Sequence, residues 1–436
     1  MSSVVKSSKA KNMQLVILAG GKGTRLGLTD IPKPMCPIEG IPQLERQILL
    51  AKKYGIEEIF LLEGYLAHVI SDYFGNGERF GVKIHHIVEQ APLGTAGALS
   101  LIKDKLTNRF MVFYGDVVMD FDIESMQKFD EQEPSVGTLL IHPNNHPYDS
   151  DLLEVKDDKI IAFHTKPHDS QKNYHNLVNA AVYILSPEIF EFIENGKQQD
   201  FGKDIFPKVL QSGKILRGYK SAEYIKDMGT KDRLPKICED VAKGRVKRLN
   251  KKNPRPAIFL DRDGVLIKDM DKNPVVENFE LLEDVEDAIK KINQSGYLAI
   301  VVTNQPMIAK GFVTFSDVDD VHKKLETQLG KSGAYLDDIY FCPHHPDKGY
   351  EGEIPELKID CECRKPKPGM LLKAAQDYHI DLEKSWMIGD RETDIKAGRA
   401  AGCRTVFIGE NTKEVTADIY AKNLNNATDF ILTRKE

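Results

Sequence analysis

The stretch Gln14-Leu15-Val16-Ile17-Leu18-Ala19-Gly20-Gly21-Lys22-Gly23-Thr24-Arg25 sets a short apolar run directly before a glycine-rich turn carrying two cations. The run reads as a buried strand over 14–19. Its glycines let backbone N–H groups approach an anion, to which Lys22 and Arg25 add fixed positive charge. The same rhythm recurs outward from this stretch. Residues 109–114 and 177–185 read as strands, and 152–164 as a hairpin turning at Asp157-Asp158. A second series runs through 257–260, 297–302, 385–388 and 405–408, with helical patterns between: Val285, Ile289 and Ile292 share one face at i, i+4, i+7. Short apolar strands alternating with helices predict an α/β chain with mainly parallel sheets flanked by helices.

The chain has 436 residues, 41% hydrophobic and 29% charged. That composition suits a soluble globular protein of two or three domains and excludes a disordered tail. No apolar run reaches the roughly 18–20 residues that span a bilayer. Residues 1–12 are rich in Ser and Lys without an apolar core, so no signal peptide is expected. The net charge of −6 gives no reason to expect a nucleic-acid partner. Six cysteines are too few for a disulfide scaffold, which points to a reducing compartment, the cytoplasm. Between the two strand series lie residues 243–255, where seven of thirteen are Lys or Arg and none is acidic. This tract reads as a solvated linker closed by Pro254 and Pro256. The expected organisation is a first domain over 13–242, a basic linker over 243–256 and a second domain over 257–436.

The glycine turn of the first domain has neither the dinucleotide nor the Walker spacing. Downstream, Pro32-Lys33-Pro34-Met35 holds a lysine between two prolines, which keep the backbone extended and aim one ammonium. Gly20-Gly21-Lys22-Gly23-Thr24-Arg25-Leu26 followed by Pro32-Lys33-Pro34 resembles the opening signature of the sugar-1-phosphate nucleotidyltransferases. The resemblance runs to about residue 240. It implies a base- and ribose-binding segment at Glu89-Gln90 and Pro92-Leu93-Gly94-Thr95-Ala96-Gly97. It also implies Mg²⁺-binding aspartates at Asp116 and Asp227, a lysine near the sugar phosphate at Lys166, and a sugar-contacting asparagine at Asn179. A sugar phosphate attacking a nucleoside triphosphate accumulates charge on phosphate oxygens, so positioning and electrostatics carry such a reaction. Arg25 and Lys33 would neutralise pyrophosphate. Two positions depart from the family pattern: Thr165 stands where Glu is common before Lys-Pro, and Ala181 where Gly is usual. Both lie on the sugar side.

In the second domain, strand 257–260 delivers Asp261-Arg262-Asp263-Gly264. Two carboxylates at i and i+2 after a buried strand suit nucleophilic catalysis on phosphate: one attacks phosphorus, the next protonates the leaving oxygen. The segment resembles the first motif of the haloacid-dehalogenase-like phosphatases, with Thr303, Lys365 and Asp390 following in order. That resemblance implies Mg²⁺ held by Asp261, Asp390 and the Asp263 carbonyl. It implies substrate contacts from Arg262, Thr303, Asn304, Gln305, Arg364, Lys365 and Arg391. Cys342-Pro343-His344 and Cys361-Glu362-Cys363 offer four soft ligands with no open position, as a structural Zn²⁺ requires, with His345 as the spare histidine. This zinc loop beside Arg364-Lys365 resembles the D,D-heptose 1,7-bisphosphate and histidinol-phosphate phosphatases, although Pro306-Met307 replaces their usual Ser-Gly.

Fusion of the two implies successive steps on one sugar: dephosphorylation of a heptose 1,7-bisphosphate, then nucleotidyl transfer to the 1-phosphate. GTP is the expected donor, because in the families concerned the ADP-heptose route uses a differently built transferase. A mannose- or glucose-1-phosphate nucleotidyltransferase joined to a histidinol-phosphate-like phosphatase stays open, as does a nucleotide-sugar sensor. The linker carries little apolar surface, so two chemically independent sites are expected.

Overall fold

The computed structural model describes residues 13–23, 26–27, 29–270, 273–410 and 415–434. Thr24 and Arg25 lie outside the described residues. Contacts divide the chain into two compact units, neither continuous in sequence. One comprises residues 1–141, 153–165 and 179–250; the other 142–152, 166–178 and 251–436.

The first unit is built on a mixed sheet. Across it run strands Lys83–Val88, Glu58–Glu63, Gln14–Leu18, Phe110–Tyr114, Val178–Leu185, Gly137–His142, Leu216–Lys220, Lys159–His164 and Leu152–Lys156. Gln14–Leu18 sits between two parallel neighbours, with Val16 level with Phe60 and Val112. Leu15, Val16 and Ile17 are fully buried, which is why this strand reads as a continuous apolar run rather than an alternating one. The expected hairpin forms from Leu152–Lys156 and Lys159–His164, and both Asp157 and Asp158 adopt the positive φ its two-residue turn requires.

The basic tract differs from expectation. Residues Arg245–Arg248 form a helical turn, and Val246 and Leu249 bury against Leu26, Ile38, Val118 and Met228. Asn250 is buried too and donates to Asp120 at 2.7 Å. The apolar residues at i, i+3 dock this tract on the first unit, while Lys and Arg occupy the remaining positions. It is therefore no solvated linker as far as Asn250.

The second unit carries six parallel strands in the order Asp338–Cys342, Leu298–Asn304, Ala257–Leu260, Trp386–Gly389, Arg404–Ile408 and Ile419–Ala421. Ala257–Leu260 is buried at every position and central, so Asp261 emerges at the carboxyl end of the sheet. Ligands bind there in open α/β folds. Helix Val285–Ser295 buries Val285, Ile289 and Ile292 as the spacing predicts. Helix Phe315–Ser332 starts at a capping box between Thr314 and Asp317 and ends at Gly333 in the left-handed region.

Candidate active sites

In the first unit, Gly20, Gly21, Lys22, Lys33, Glu89, Gln90, Gly94, Thr95 and Asp116 line one cavity of about 480 Å³. Gly20 leaves strand Gln14–Leu18 pressed against Gly64, where a Cβ on either residue would crowd the other's backbone or Glu89. Gly23 lies in the left-handed region at φ 68°. So does Gly94, whose missing Cβ would lie 2.5 Å from the Gln199 carbonyl oxygen. Lys33 is buried between its prolines and pairs with the Asp116 carboxylate. Cation and carboxylate therefore meet at one wall of the cavity.

Several expected groups are engaged elsewhere. The Thr95 hydroxyl donates to Asp200 at 2.8 Å and accepts from the Phe201 N–H at 3.0 Å, so its side chain braces the fold. Asp227 lies beside Asp116 through the sheet, Met228 N–H donating to the Asp116 carbonyl at 2.9 Å. Its carboxylate, however, accepts from Arg233 at 2.7 and 2.9 Å and from the Gly229 N–H at 2.6 Å. Arg233 was not singled out in the sequence, because a cation six residues on in a polar helix has no motif. Asn179 accepts from the Ala181 N–H at 3.2 Å. Ala181 itself holds φ 58°, the left-handed conformation for which glycine is usual there. Lys166 belongs to the other unit, where its ammonium donates to the Asp149 carbonyl at 2.6 Å.

In the second unit a cavity of about 860 Å³ is lined by Asp261, Arg262, Asp263, Thr303, Asn304, Gln305, Arg364, Lys365, Arg391 and Asp394, among others. Lys365 is its electrostatic centre. The ammonium donates to Asp261 at 2.7 Å and to the Val302 carbonyl at 2.8 Å, and pairs with Asp394 at 2.7 Å. Burial opposes its charge, but Asp261 and Asp394 outweigh that and push its pKa up. The Lys365 backbone is fixed by Asn304, whose amide donates to its carbonyl and accepts from its N–H, both at 3.0 Å. Burial raises the Asp261 pKa, with Lys365 opposing. Asp390 is pushed up to about 7 by burial and by the charges of Asp261 and Asp394. Asp261, Asp390 and Asp394 bring their oxygens within 4.8 Å of one another, and Asp390 Oδ1 is buried without a hydrogen-bond partner. Gly264 permits this crowding: at φ 82°, a Cβ there would lie 2.2 Å from Asp390 Oδ2. Crowded carboxylates with an orphaned oxygen fit a divalent cation. Asp394 has no role in the sequence reading; its tie to Lys365 depends on the fold.

Arg262 corrects an expectation. Its side chain is fully buried, donating to both Asp263 oxygens at 2.9 and 3.0 Å and approaching His322 Nε2 at 3.2 Å. It sits behind Asp263 and aligns that carboxylate rather than reaching for substrate. Gln305 also faces inward, donating to Asp263 at 2.8 Å and to the Thr303 hydroxyl at 2.9 Å. Burial, then Arg262 and His175, hold His322 well below the usual imidazole range, so a neutral ring accepts from the guanidinium. Arg391 pairs with Asp269 at the rim of the cavity, and Arg364 donates to the His344 carbonyl at 3.3 Å.

The soft ligands converge as the spacing predicts. Cys342, His344, Cys361 and Cys363 bring their ligand atoms within 4.8 Å of one another, and four of the six Sγ and Nδ1 separations are 3.2–3.6 Å. A tetrahedron with zinc–ligand bonds of about 2.0–2.3 Å has edges of roughly 3.3–3.8 Å. The four donors therefore fit Zn²⁺. His345 stays outside the cluster and accepts from the Asp347 N–H at 3.2 Å.

Comparison with known proteins divides the chain in the same sense. Residues 14–244 match the nucleotidyl transferase family and residues 362–431 the HAD-hydrolase-like family. A stretch of 177 residues, 41% of the chain, is 40% identical to the D-glycero-beta-D-manno-heptose-1,7-bisphosphate 7-phosphatase of Yersinia pestis and covers 89% of that protein. A stretch of 168 residues, 38% of the chain, is 39% identical to the D-glycero-alpha-D-manno-heptose-1,7-bisphosphate 7-phosphatase of Photorhabdus laumondii and covers 90% of it. Among solved structures, HddC from Yersinia pseudotuberculosis complexed with GMP-PN is 27% identical with a TM-score of 0.45. That match covers 53% of this chain and all of the other. Among the described residues no helix is long and apolar enough to cross a membrane.

Proposed function

Because the chain belongs to the nucleotidyl transferase family through residues 14–244, and to the heptose-bisphosphate phosphatase family through a 177-residue stretch, we propose that it performs two successive steps on one heptose. The first removes the 7-phosphate of D-glycero-D-manno-heptose 1,7-bisphosphate. The second transfers GMP from GTP to the resulting 1-phosphate, releasing pyrophosphate. The observation that carries this reading is that one chain holds both a buried Asp261–Lys365 pair beside an aligned Asp263 and a glycine-walled cavity with Lys33 against Asp116.

In the phosphatase, an Asp261 oxygen attacks phosphorus as the bond to the sugar oxygen breaks. Asp263 serves as the general acid that delivers a proton to that oxygen. Asp263 then takes a proton from the water that attacks the aspartyl phosphate, regenerating Asp261. Arg262 and Gln305 keep Asp263 aimed through both proton transfers. Lys365, Thr303, Asn304, Arg364 and Arg391 supply positive or hydrogen-bonding contacts. Asp261, Asp390 and the Asp263 carbonyl would hold Mg²⁺, which supplies charge against the phosphoryl oxygens. The cysteine cluster would hold Zn²⁺ and rigidify the loop that leads directly into Arg364 and Lys365.

In the transferase, an oxygen of the sugar 1-phosphate attacks the α-phosphorus and the bond to pyrophosphate breaks. Gly20, Gly21 and Gly23 present backbone to the triphosphate, and Thr24 and Arg25 follow them in the sequence as further contacts. Gln90 and Gly94 face base and ribose, and Lys33 takes the charge leaving with pyrophosphate. Asp116 and Asp227 would hold Mg²⁺ once Lys33 and Arg233 turn to ligand phosphates. Lys166 and Asn179 serve the sugar phosphate. GTP is the proposed donor because, in the families that the sequence resembles, the ADP-heptose route uses a differently built transferase. A reducing compartment, the cytoplasm, fits a chain whose six cysteines are too few for a disulfide scaffold.

The test is to incubate the protein with heptose 1,7-bisphosphate and GTP, ATP, CTP or UTP in turn and identify products by mass. GDP-heptose is expected. Inorganic phosphate with no nucleotide sugar from any triphosphate would contradict the reading.

A further inference from the structure

Helix Phe315–Ser332 buries Val318, Val321, Leu325 and Leu329 at the spacing of one helical face. His322 stands on that same face and is 4% exposed. A polar ring buried among apolar neighbours has to find a hydrogen-bond partner inside the protein. The partner here is Arg262, whose Nη1 lies 3.2 Å from His322 Nε2. The Phe341 ring meets the imidazole at 62°, with centroids 5.5 Å apart, and limits how far it can turn. The opposite edge of the guanidinium faces Asp263: Nη2 donates to its two oxygens at 2.9 and 3.0 Å, and Nε to Oδ1 at 3.3 Å. All three guanidinium nitrogens are therefore engaged, two by the carboxylate and the third by the histidine. His322, Arg262 and Asp263 all belong to the second unit.

We propose that His322 is a positioning residue of the phosphatase: by holding Arg262 from behind, it fixes the Asp263 carboxylate where a proton reaches the leaving sugar oxygen. This role rests on the reading of Asp263 as the general acid. A guanidinium held along one edge alone can pivot about that edge, and a third contact at Nη1 stops the pivot. Gln305 cannot replace it, because it holds only Oδ2, at 2.8 Å, and would leave the carboxylate free to turn about that contact. A neutral ring suits the role, since an imidazolium would set a second donor and a second charge against Arg262. Burial, then Arg262 and His175, disfavour the charged ring, with Asp319 opposing. Nε2 thus accepts and the ring proton stays on Nδ1. In the step concerned an Asp261 oxygen bonds to phosphorus, the bond from phosphorus to the sugar oxygen breaks, and that oxygen takes its proton from Asp263. A leaving group that is stable as an anion needs no such proton, so it is indifferent to how Asp263 is aimed.

The experiment uses the full chain with His322→Leu and His322→Phe, which remove the acceptor, and His322→Gln, whose Oε1 can stand in for Nε2. Phosphatase kcat/KM, which reports phosphoryl transfer to Asp261, is measured on two substrates. Heptose 1,7-bisphosphate has a sugar oxygen that must be protonated as it leaves. In p-nitrophenyl phosphate, which a cavity of about 860 Å³ has room for, the phenolate departs as an anion. The Leu and Phe variants should lose about 10²-fold in kcat/KM on the bisphosphate, the cost of a misplaced proton donor. On the aryl phosphate they should stay within about twofold, and His322→Gln should stay within about threefold of the intact protein on both substrates. An equal loss on both substrates, full activity of either apolar variant on the bisphosphate, or failure of both to fold would make His322 merely structural and overturn the proposal. Asp263→Asn separates the two layers of inference. If it slows both substrates alike, the reading of Asp263 fails and the proposal with it. If it slows only the bisphosphate while the Leu and Phe variants do not, the role of His322 alone fails.

Discussion

Lys33 and Lys365 each face a carboxylate at the end of a buried strand, yet their surroundings are opposite. Lys33 pairs with Asp116 alone, at the wall of an open cavity, and the Asp116 side chain keeps 28% of its exposure. Lys365 is 2% exposed and sits between Asp261, Asp394 and the Val302 carbonyl, with Asp390 close behind. On the proposed function, the first pair would part when a triphosphate brings its own negative charge. The second is assembled before substrate arrives, and its lysine neutralises a cluster that would otherwise be buried uncompensated. Lys33 faces one carboxylate at a cavity wall, whereas Lys365 is held by two carboxylates and a carbonyl.

The largest expected effect breaks this contrast at Lys365. Lys365→Met should abolish phosphatase activity and destabilise the protein by about 3–5 kcal/mol, since it strands buried carboxylates. Lys33→Ala should lower nucleotide-sugar synthesis by about 10²–10³-fold, as losing a strong electrostatic donor does, with stability changed by less than about 1 kcal/mol. Denaturant unfolding of both variants checks the difference. Equal stability losses would show that the two lysines do the same job.

Next in size, Cys361→Ser with Cys363→Ser should release zinc from the purified protein and weaken the phosphatase. The transferase should persist, because Asp116, Lys33 and the glycine turn belong to the other unit. Metal analysis and both assays on one preparation decide it.

A smaller effect concerns His175, which meets Glu326 and Asp319. The folded His175 pKa, about 9, lies above the ordinary value of 6.5. Its charge therefore stabilises fully below about pH 6.5, and that contribution is lost as pH rises through about 9. The stability difference between the intact protein and His175→Gln should be largest near pH 6 and shrink toward pH 9.5. A difference that grows with pH would contradict the ion-pair account.

The smallest effect is at Ala181. Glycine there removes the penalty of a Cβ in the left-handed region but loosens the unfolded chain, so Ala181→Gly should stabilise by roughly 0.5–1 kcal/mol. Thermal unfolding measures it.

Much of this molecule was readable in its sequence because strand, turn and charge are adjacent in the chain. The strand before Gly20, the strand before Asp261, the hairpin at Asp157-Asp158 and the Cys/His spacing all have local causes. The unread parts have non-local ones. Arg262 reads as a substrate contact because it stands between Asp261 and Asp263, but burial turns it to Asp263 and His322. Arg233 holds Asp227 across one turn, and Asp394 becomes important only because Lys365 is folded onto it. The tract 243–255 concealed a docking pair, Val246 and Leu249, among seven cations. His175 carries no motif, since its carboxylate partners lie about 150 residues away.

The most direct measurement of the central claim, two reactions by separate groups on one sugar, uses Asp261→Asn. The amide cannot attack phosphorus, while the neutral side chain still fits beside Lys365. Given GTP, the intact protein should make GDP-heptose from either heptose 1,7-bisphosphate or heptose 1-phosphate. The variant should make it at the normal rate from the 1-phosphate and release no phosphate from the bisphosphate. A folded variant that has also lost transfer to the 1-phosphate would contradict the account.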